Sequence, residues 1–413
     1  MNSEDIIVSL DIGTSKVRVI IGEVSKGTMN IIGVGSADSH GIRKGAIVDI
    51  DQTVDSIRKA VDYAERMVGV EISDVYVGVA GNHIELHASH GVVAVSNEDR
   101  EIGDEDIERV LNAAKVIAMP PEREIIGIVP DQFLVDGLEG IQEPRGMIGV
   151  RLEVEAQIIT GAKTTIHNLL RCVERADLRI SGLILMPLAA GQLALSKDEK
   201  MLGTVLVDIG AGATNISYFY EGNIKTTSTV PIGGDFITND ISIGLRVNTE
   251  AAERIKLKYG CALLADAAED QVFKVANIGN ADAETEYNQV ELAQIIEPRV
   301  REIFQLIGAE AARLGISDPA GGYVLSGGTV NMPGMQQAAQ EELGAAVRIC
   351  IPDYIGVRDP SYTNGVGMIQ YSAKYLRGQA APVSVQAKKT KAPAISDKPN
   401  LFERLKNWFS EFI

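Results

Sequence analysis

At 413 residues the chain is longer than one hydrophobic core usually organises, which predicts two or more domains. Aromatics are scarce at 5% while Gly numbers 41, a balance that favours an Ala/Gly/Val/Ile-rich α/β protein with many tight turns. A net charge of −17 argues against general nucleic-acid binding. Cys172, Cys261 and Cys350 are odd in number and far apart, so they form neither a disulfide framework nor a metal-ligand spacing, and a reducing cytosol fits best.

The opening "MNSEDIIVSLD" lacks the basic and apolar regions of a signal peptide. It leads into a predicted buried strand, "IIVSLDIG", ending at Gly13. "KVRVIIGEV" and "GTMNIIGVGSADS" read as two further strands. Val54, Ile57, Val61, Ala64 and Val68 then recur at helical spacing, and "DVYVGVAG" reads as a buried strand. These elements predict a mixed sheet with one covering helix. Next, "HIELHASHGVVAV" alternates like a strand, which holds His83 and His87 about 13 Å apart and turns His90 to the other side, so a metal site is not expected. "SGLILMPLAAGQLAL" (181–195) is too short to span a membrane and carries Pro187 and Gly191.

The first pattern returns about two hundred residues later. "TVLVDIGAGATNISYFYEGNIKTTSTVPIGG" (204–234) again gives strand, Asp-Ile-Gly, small-residue turn and two strands, with Asp208 matching Asp11 and Gly210 matching Gly13. A helix (248–260), an acidic stretch with no expected strand (265–289), a long helix (291–315) and the strand "GGYVLSGG" follow. The chain thus reads as two related α/β lobes. Residues 1–83, 163–197 and 361–378 form the first, and 84–162 are an inserted α+β module. Residues 198–235 and 306–360 form the core of the second, and 236–305 its small subdomain. From 379 to 399 the sequence is Ala/Pro/Ser/Lys-rich, a disordered linker by composition.

The duplicated Asp-Ile-Gly is the strongest internal signal. Once, it is a common strand-end turn; at matching places in two similar halves it reads as a pincer for a polyphosphate, because Gly, Ser, Thr and Ala leave backbone N–H groups unobstructed. Asp11 and Asp208 are the candidates for Mg²⁺, held through water. Thr14, Ser15 and Lys16 are candidate phosphate donors in the first turn, with Gly212 and Thr214 in the second. Gly327 and Gly328 of "VLSGGTVNMPGM" allow close approach to a flat ring or sugar, or simply make a strand-to-helix turn. Neither a Walker loop nor a Rossmann fingerprint is present.

These segments, in this order, resemble the actin-like ATPase superfamily: "IVSLDIGTSKVRVIIGEV" and "VLVDIGAGATNISYFYEG" its two phosphate segments, "YVLSGGTVNMPG" its adenosine segment, and "MPLAAGQLAL" and "SYTNGVGMI" its connecting segments. The resemblance implies two lobes with ATP and Mg²⁺ between them, and places Glu253 and Lys256 at the ribose and adenine; the alternative for that pair is a solvated helix face. Where many relatives carry a Glu or Gln that orients the attacking water, this chain has Met186, so slow hydrolysis at best is expected. The inserted module, which begins after "VYVGVAGNHIE" and runs to "RLEVEAQIITG", together with the terminal tail "NLFERLKNWFSEFI", resembles the FtsA family of bacterial cell-division proteins. That likeness implies polymerisation, capture of the FtsZ C-terminal tail on 236–305, contacts of the module with later division proteins, and anchorage at the cytoplasmic face of the membrane at the division site. Arg299 and Arg301 are candidate contacts to the FtsZ tail, or ordinary helix-surface charges. The rivals on the same fold are a small-molecule kinase and a pilus-assembly adaptor.

The tail, "NLFERLKNWFSEFI" (400–413), carries the only Trp. Drawn as a helix, Leu401, Phe402, Leu405, Trp408, Phe409, Phe412 and Ile413 fall within one arc of roughly 140°. Too short to be stable alone, it should fold on an apolar surface: a groove of its own body, or a lipid interface. The slack linker favours lipid. So does charge, since 388–413 hold six basic and three acidic residues on an otherwise acidic chain. Seven apolar side chains at ~1 kcal/mol each give a dissociation constant near ~10 μM, so a single anchor is reversible and an array of them is not.

Overall fold

The computed structural model describes residues 5–25, 28–276, 284–376 and 386–387. Nearly all of the linker and the whole of the tail, 400–413, lie outside the described residues. Two compact units are present. One comprises residues 5–86, 122–127 and 159–376, and the other 87–121 and 128–158.

The larger unit begins with three antiparallel strands, β1 (Asp5–Ile12), β2 (Lys16–Ser25) and β3 (Thr28–Asp38). Helix α1 (Ile50–Val68) starts where the Asp49 side chain accepts the Gln52 N–H and stops at Gly69, which takes the left-handed conformation. Its stripe Val54, Ile57, Ala60, Val61 and Ala64 is buried against the sheet, as the spacing predicts. Strand β4 (Asp74–Val79) then pairs parallel to β1.

The smaller unit draws on β5 (Ile84–Ala94), α2 (Asp104–Ala114), β6 (Arg123–Val135), β7 (Leu138–Ile141) and β8 (Arg151–Ala162), with sheet order β7-β6-β8-β5. Its core packs Val110 and Ala114 of α2 against Phe133, Leu152 and Val154. Asp106 is buried here because it accepts from Gly103 N–H, Ser96 and Arg109, which together hold its carboxyl down at about 2 despite desolvation.

In the larger unit the chain continues through α3 (Lys163–Arg175), β9 (Arg179–Leu185) and α4 (Met186–Ala194), completing a first-lobe sheet of order β9-β4-β1-β2-β3. After α5 (Lys197–Leu202) come β10 (Thr204–Ile209), β11 (Thr214–Tyr220) and β12 (Asn223–Val230), then α6 (Gly234–Leu245) and α7 (Thr249–Tyr259). The stretch expected to be strandless instead forms a hairpin of β13 (Val272–Ala276) and β14 (Glu284–Asn288). Its acidic composition hides a short alternation: Phe273 and Val275 point into the core, and Phe273 stacks on Tyr259 at 4.7 Å.

Helix α8 (Gln289–Arg313) opens on an Asn288–Glu291 capping box and buries Leu292, Ile296, Val300, Ile303, Phe304, Ile307 and Ala311. Strand β15 (Tyr323–Ser326), α9 (Met335–Leu343), β16 (Val347–Ile349) and α10 (Thr363–Tyr371) finish the described fold. The second-lobe sheet has order β12-β11-β10-β15-β16, with β11 antiparallel and β15 parallel to the central β10. This repeats the first lobe strand for strand. Where one covering helix was expected on the first sheet, each face is covered by a pair: α1 and α3 on one side, α4 and α10 on the other. Among the described residues no helix is long and apolar enough to cross a membrane.

Candidate functional site

Both central strands end in the same device. After β1 the Gly13 N–H donates to Lys16 O at 3.0 Å, and after β10 the Gly210 N–H donates to Ala213 O at 3.0 Å. A side chain on Gly13 or Gly210 would press on that carbonyl oxygen, at 2.9 and 3.0 Å respectively. The two turns meet across the lobes, since a Cβ on Gly212 would lie 2.8 Å from Thr14 Oγ1. Thr14 Oγ1 itself accepts the Gly45 N–H at 3.1 Å.

The aspartates stand at the root of these turns. Asp11 is buried and Asp208 half-buried, and desolvation raises both carboxyls, Asp11 to about 6. Arg18 opposes the rise at each, while Asp208 adds to it at Asp11. Asp208 also accepts from Asn364 Nδ2 at 3.1 Å, and the neighbouring Asn215 and Ser326 help to lower its carboxyl. Two carboxylates beside two facing turns form a hard-oxygen donor set, which suits Mg²⁺ bound through water.

A second layer supports the turn after β10. The carbonyl of Gly210 accepts from Gly234 N–H at 3.0 Å and from Thr329 Oγ1 at 2.9 Å. The carbonyl of Gly234 accepts from Lys256 Nζ at 3.1 Å. Lys256 is buried, donates also to Thr238 Oγ1 at 2.8 Å and pairs with Glu253 at 2.7 Å; Thr238 in turn donates to Glu253. Lys256 is therefore no solvated surface charge. Gly327 has φ of +93°, and a Cβ there would lie 2.5 Å from Asp208 Oδ1, so only glycine fits beside that carboxylate. Gly328 is different: its nearest neighbour would be Ser361 Cβ at 3.6 Å.

The remaining candidates are placed as follows. Lys16 pairs with the exposed Asp38 at 2.5 Å. Ser15 is exposed, and its carbonyl accepts the Ser39 N–H. Thr214 turns its hydroxyl to Ile232 O at 2.7 Å, tying β11 to the segment before α6. Met186 packs its thioether against Gly78 and Met368. Arg299 is bidentate to Asp240 and pairs with Glu302; Arg301 joins Glu297, Glu341 and Glu342. Both thus serve to tie α8 to its neighbours in this structure. Glu297 and Glu302 lie at helical spacing on α8 itself, but Asp240 of α6 and Glu341 and Glu342 of α9 are far along the chain, so sequence spacing gave no hint of those pairs. His90 pairs with Glu153 at 2.9 Å, and among the described residues no cluster of three or more His, Cys, Asp or Glu has metal-site geometry.

Two residues of the site were not singled out from the sequence. Arg18 stands directly across β1–β2 from Asp11, its guanidinium 5.4 Å above the Tyr362 ring, and its Nε is buried with no hydrogen-bond partner. Period-two alternation in "KVR" would have put it on the face of Lys16. Asn364 has no local signal, because its partner is 156 positions away in the other lobe.

Two lobes repeating one sheet topology, with matched Asp-Ile-Gly turns facing each other, define an actin-like fold. Solved structures agree at the level of the fold. A PilM–PilN type IV pilus biogenesis complex matches with a TM-score of 0.61 at 15% identity, covering 91% of this chain and 100% of that one. MreB5 of Spiroplasma citri bound to ADP gives 0.53 at 10%, covering 91% and 99%. A MamK double helical filament gives 0.52 at 12%, covering 89% and 99%.

The family itself is shown by sequence. The model for "Cell division protein FtsA" matches residues 205–367, and that for "SHS2 domain inserted in FTSA" matches 81–160. Cell division protein FtsA of Bacillus subtilis (strain 168) is 51% identical over 93% of this chain and 87% of its own length; that of Pseudomonas aeruginosa is 41% identical over 99% and 98%. The chain belongs to the FtsA family of cell-division proteins.

Proposed function

We propose that this protein binds ATP with Mg²⁺ between its lobes, polymerises, and tethers the FtsZ ring to the cytoplasmic face of the membrane through its C-terminal segment. The observation that carries the nucleotide part is the meeting of the two turns, Thr14 against Gly212, with Asp11 and Asp208 at their roots. Mg²⁺ would neutralise phosphate charge there, and Asp11 and Asp208 are the two carboxylates from which the holder of its water would be drawn. The glycine turns would orient the phosphates, and Thr329, Lys256 and Glu253 hold the second turn in shape. Met186 presents a thioether where a base would be needed, so ATP serves as a clamp between lobes and turnover is slow. Rapid hydrolysis that survives changing Met186 would contradict this.

The tether part rests on family membership and on the sequence of the tail. Assembly would array the segments carrying Trp408, Phe409 and Phe412, and avidity would turn weak anchors into a firm attachment. The FtsZ tail would dock on the small subdomain, 236–305. Arg299 and Arg301 would have to exchange their present carboxylates for those of the incoming peptide. The inserted module would be free for later division proteins. Co-sedimentation with FtsZ and anionic vesicles, with and without ATP, tests the whole scheme: ATP should increase the vesicle-bound fraction of both proteins. In flotation, Phe409→Glu should release the protein from vesicles, and a mutant that floats like wild type would sink the lipid anchor.

A further inference from the structure

The sequence treats Asp11 and Asp208 as equivalent metal-side carboxylates. Their surroundings are not equivalent. Across the antiparallel pair of each lobe, Asp11 faces Arg18 while Asp208 faces Asn215. Thr229, next along the same row, donates to Asn215 Oδ1 at 2.8 Å, which leaves the Asn215 amide NH₂ for Asp208. On the parallel side Asp208 faces Ser326, whose hydroxyl donates to Val207 O at 3.4 Å. The register that pairs Leu10 with Val77 brings Gly78 next along β4, a residue with no side chain to donate. A side-chain hydrogen bond to Asp208 comes from the other lobe: Asn364, on the first turn of α10. The Oδ1 side is closed by Gly327, where a Cβ would sit 2.5 Å away. Asp11 has no side-chain donor among the described residues, only the field of Arg18.

A carboxylate offers about four lone-pair sites. With Oδ2 taken by Asn364 and Oδ1 walled by Gly327, Asp208 has less open capacity for a metal's water than Asp11, which accepts from no side chain among the described residues. We propose that the two aspartates divide the work. Asp208, held by Asn364, is a strut joining the second-lobe sheet to α10 of the first lobe; Asp11 is the carboxylate offered to the metal. Asn364 is a positioning residue, acting through Asp208. The helix it sits on packs against α4, the other connecting helix, so close that a Cβ on Gly367 would lie 2.4 Å from Ala189 O. Loss of the strut therefore loosens the hinge between the lobes.

The metal half of this inference rests on the nucleotide reading above; the strut half does not. The test uses full-length protein and two measurements. The first is amide hydrogen exchange over α10 and the two turns without ligand. Asn364→Asp should speed exchange by about tenfold or more, since it replaces a donor by a charge facing a half-buried carboxylate, and Asn364→Ala should speed it less. A mere packing role predicts the reverse order, because Asp is nearly isosteric with Asn. Asp11→Ser removes an ionised buried carboxylate and should slow this exchange rather than speed it.

The second is the gain in affinity for a fluorescent ATP analogue when Mg²⁺ replaces EDTA. Asp11→Ser and Asp11→Asn should lose about tenfold or more of that gain, and Asn364→Ala should keep it within about threefold. Unchanged exchange in both Asn364 variants, a milder Asp than Ala, or a full Mg²⁺ gain in the Asp11 variants would each overturn the division. If wild type binds no analogue, the nucleotide reading fails and takes the metal role of Asp11 with it. The exchange series then decides the strut alone.

Discussion

In the first lobe the turn closes from Gly13 onto Lys16, and its aspartate lies across from Arg18; in the second it closes from Gly210 onto Ala213, and its aspartate lies across from Asn215. The backbone of the two turns is repeated to a tenth of an ångström in hydrogen-bond length. The side chains around them have diverged into a charged set and a neutral set. Duplication conserves what geometry requires, glycine at the closing N–H, and leaves the electrostatics free to specialise. The third glycine element sharpens the contrast, because only the second lobe has one pressed against its aspartate.

The largest expected effect therefore falls on that element. Gly327→Val places a β-branched side chain at φ of +93° and against the Asp208 carboxylate, and should destabilise the protein by about 4 kcal/mol or more. Its neighbour Gly328→Ala meets nothing closer than Ser361 at 3.6 Å and should stay within ~1 kcal/mol. Denaturant midpoints of the pair check this. Equal losses would mean that the two glycines share one structural role.

A middle-sized effect separates the aspartates by pH. Burial raises the Asp11 carboxyl from 3.8 to about 6, so the folded state binds its proton more tightly than the unfolded state does. The sign follows: the group favours folding below pH 4 and loses that contribution as pH rises through about 6. At pH 7 the ionised Asp11 costs about 3 kcal/mol. Asp11→Asn should thus stabilise the ligand-free protein by up to ~3 kcal/mol at pH 7, with the gain vanishing near pH 4. Thermal unfolding of mutant and wild type across that window checks it; a gain that grows at low pH would reverse the assignment.

How much of this was legible from the sequence varies with the range of the interaction. The leading strands of both sheets, helices α1, α7 and α8 and the twin turns were readable because each rests on a local pattern: apolar runs, helical spacing, glycine at a strand end. So was the pairing of halves, because Asp-Ile-Gly recurs in step. The hairpin at 272–288 was missed, since two short strands in an acidic stretch carry too few apolar residues to stand out. Thr214 looked like a phosphate donor because it sits in the turn, yet its hydroxyl serves Ile232. Asn364 and the α9 carboxylates around Arg301 are set by partners far along the chain, which no window of the sequence contains, while Arg18 meets Asp11 only through the register of the β1–β2 hairpin.

The smallest stability effect comes from making the first turn resemble the second. Lys16 occupies the place of Ala213, with its ammonium on Asp38, whose carboxyl the Lys16 hydrogen bond holds below the usual range. Both side chains are substantially exposed, at 41% and 71%, and an exposed pair of this kind contributes less than about 1 kcal/mol. Lys16→Ala should lower the melting temperature by no more than about 2 °C. Its effect on nucleotide should be out of proportion, about a tenfold loss of affinity for ATP, because the ammonium that rests on Asp38 is the only side-chain cation within the turn itself. The reciprocal change, Ala213→Lys, adds a cation to the lobe whose aspartate is already held by neutral donors and should not restore that loss. Calorimetry on the two single mutants and the double mutant decides it: recovery in the double mutant would show that the lobes are interchangeable at this position after all.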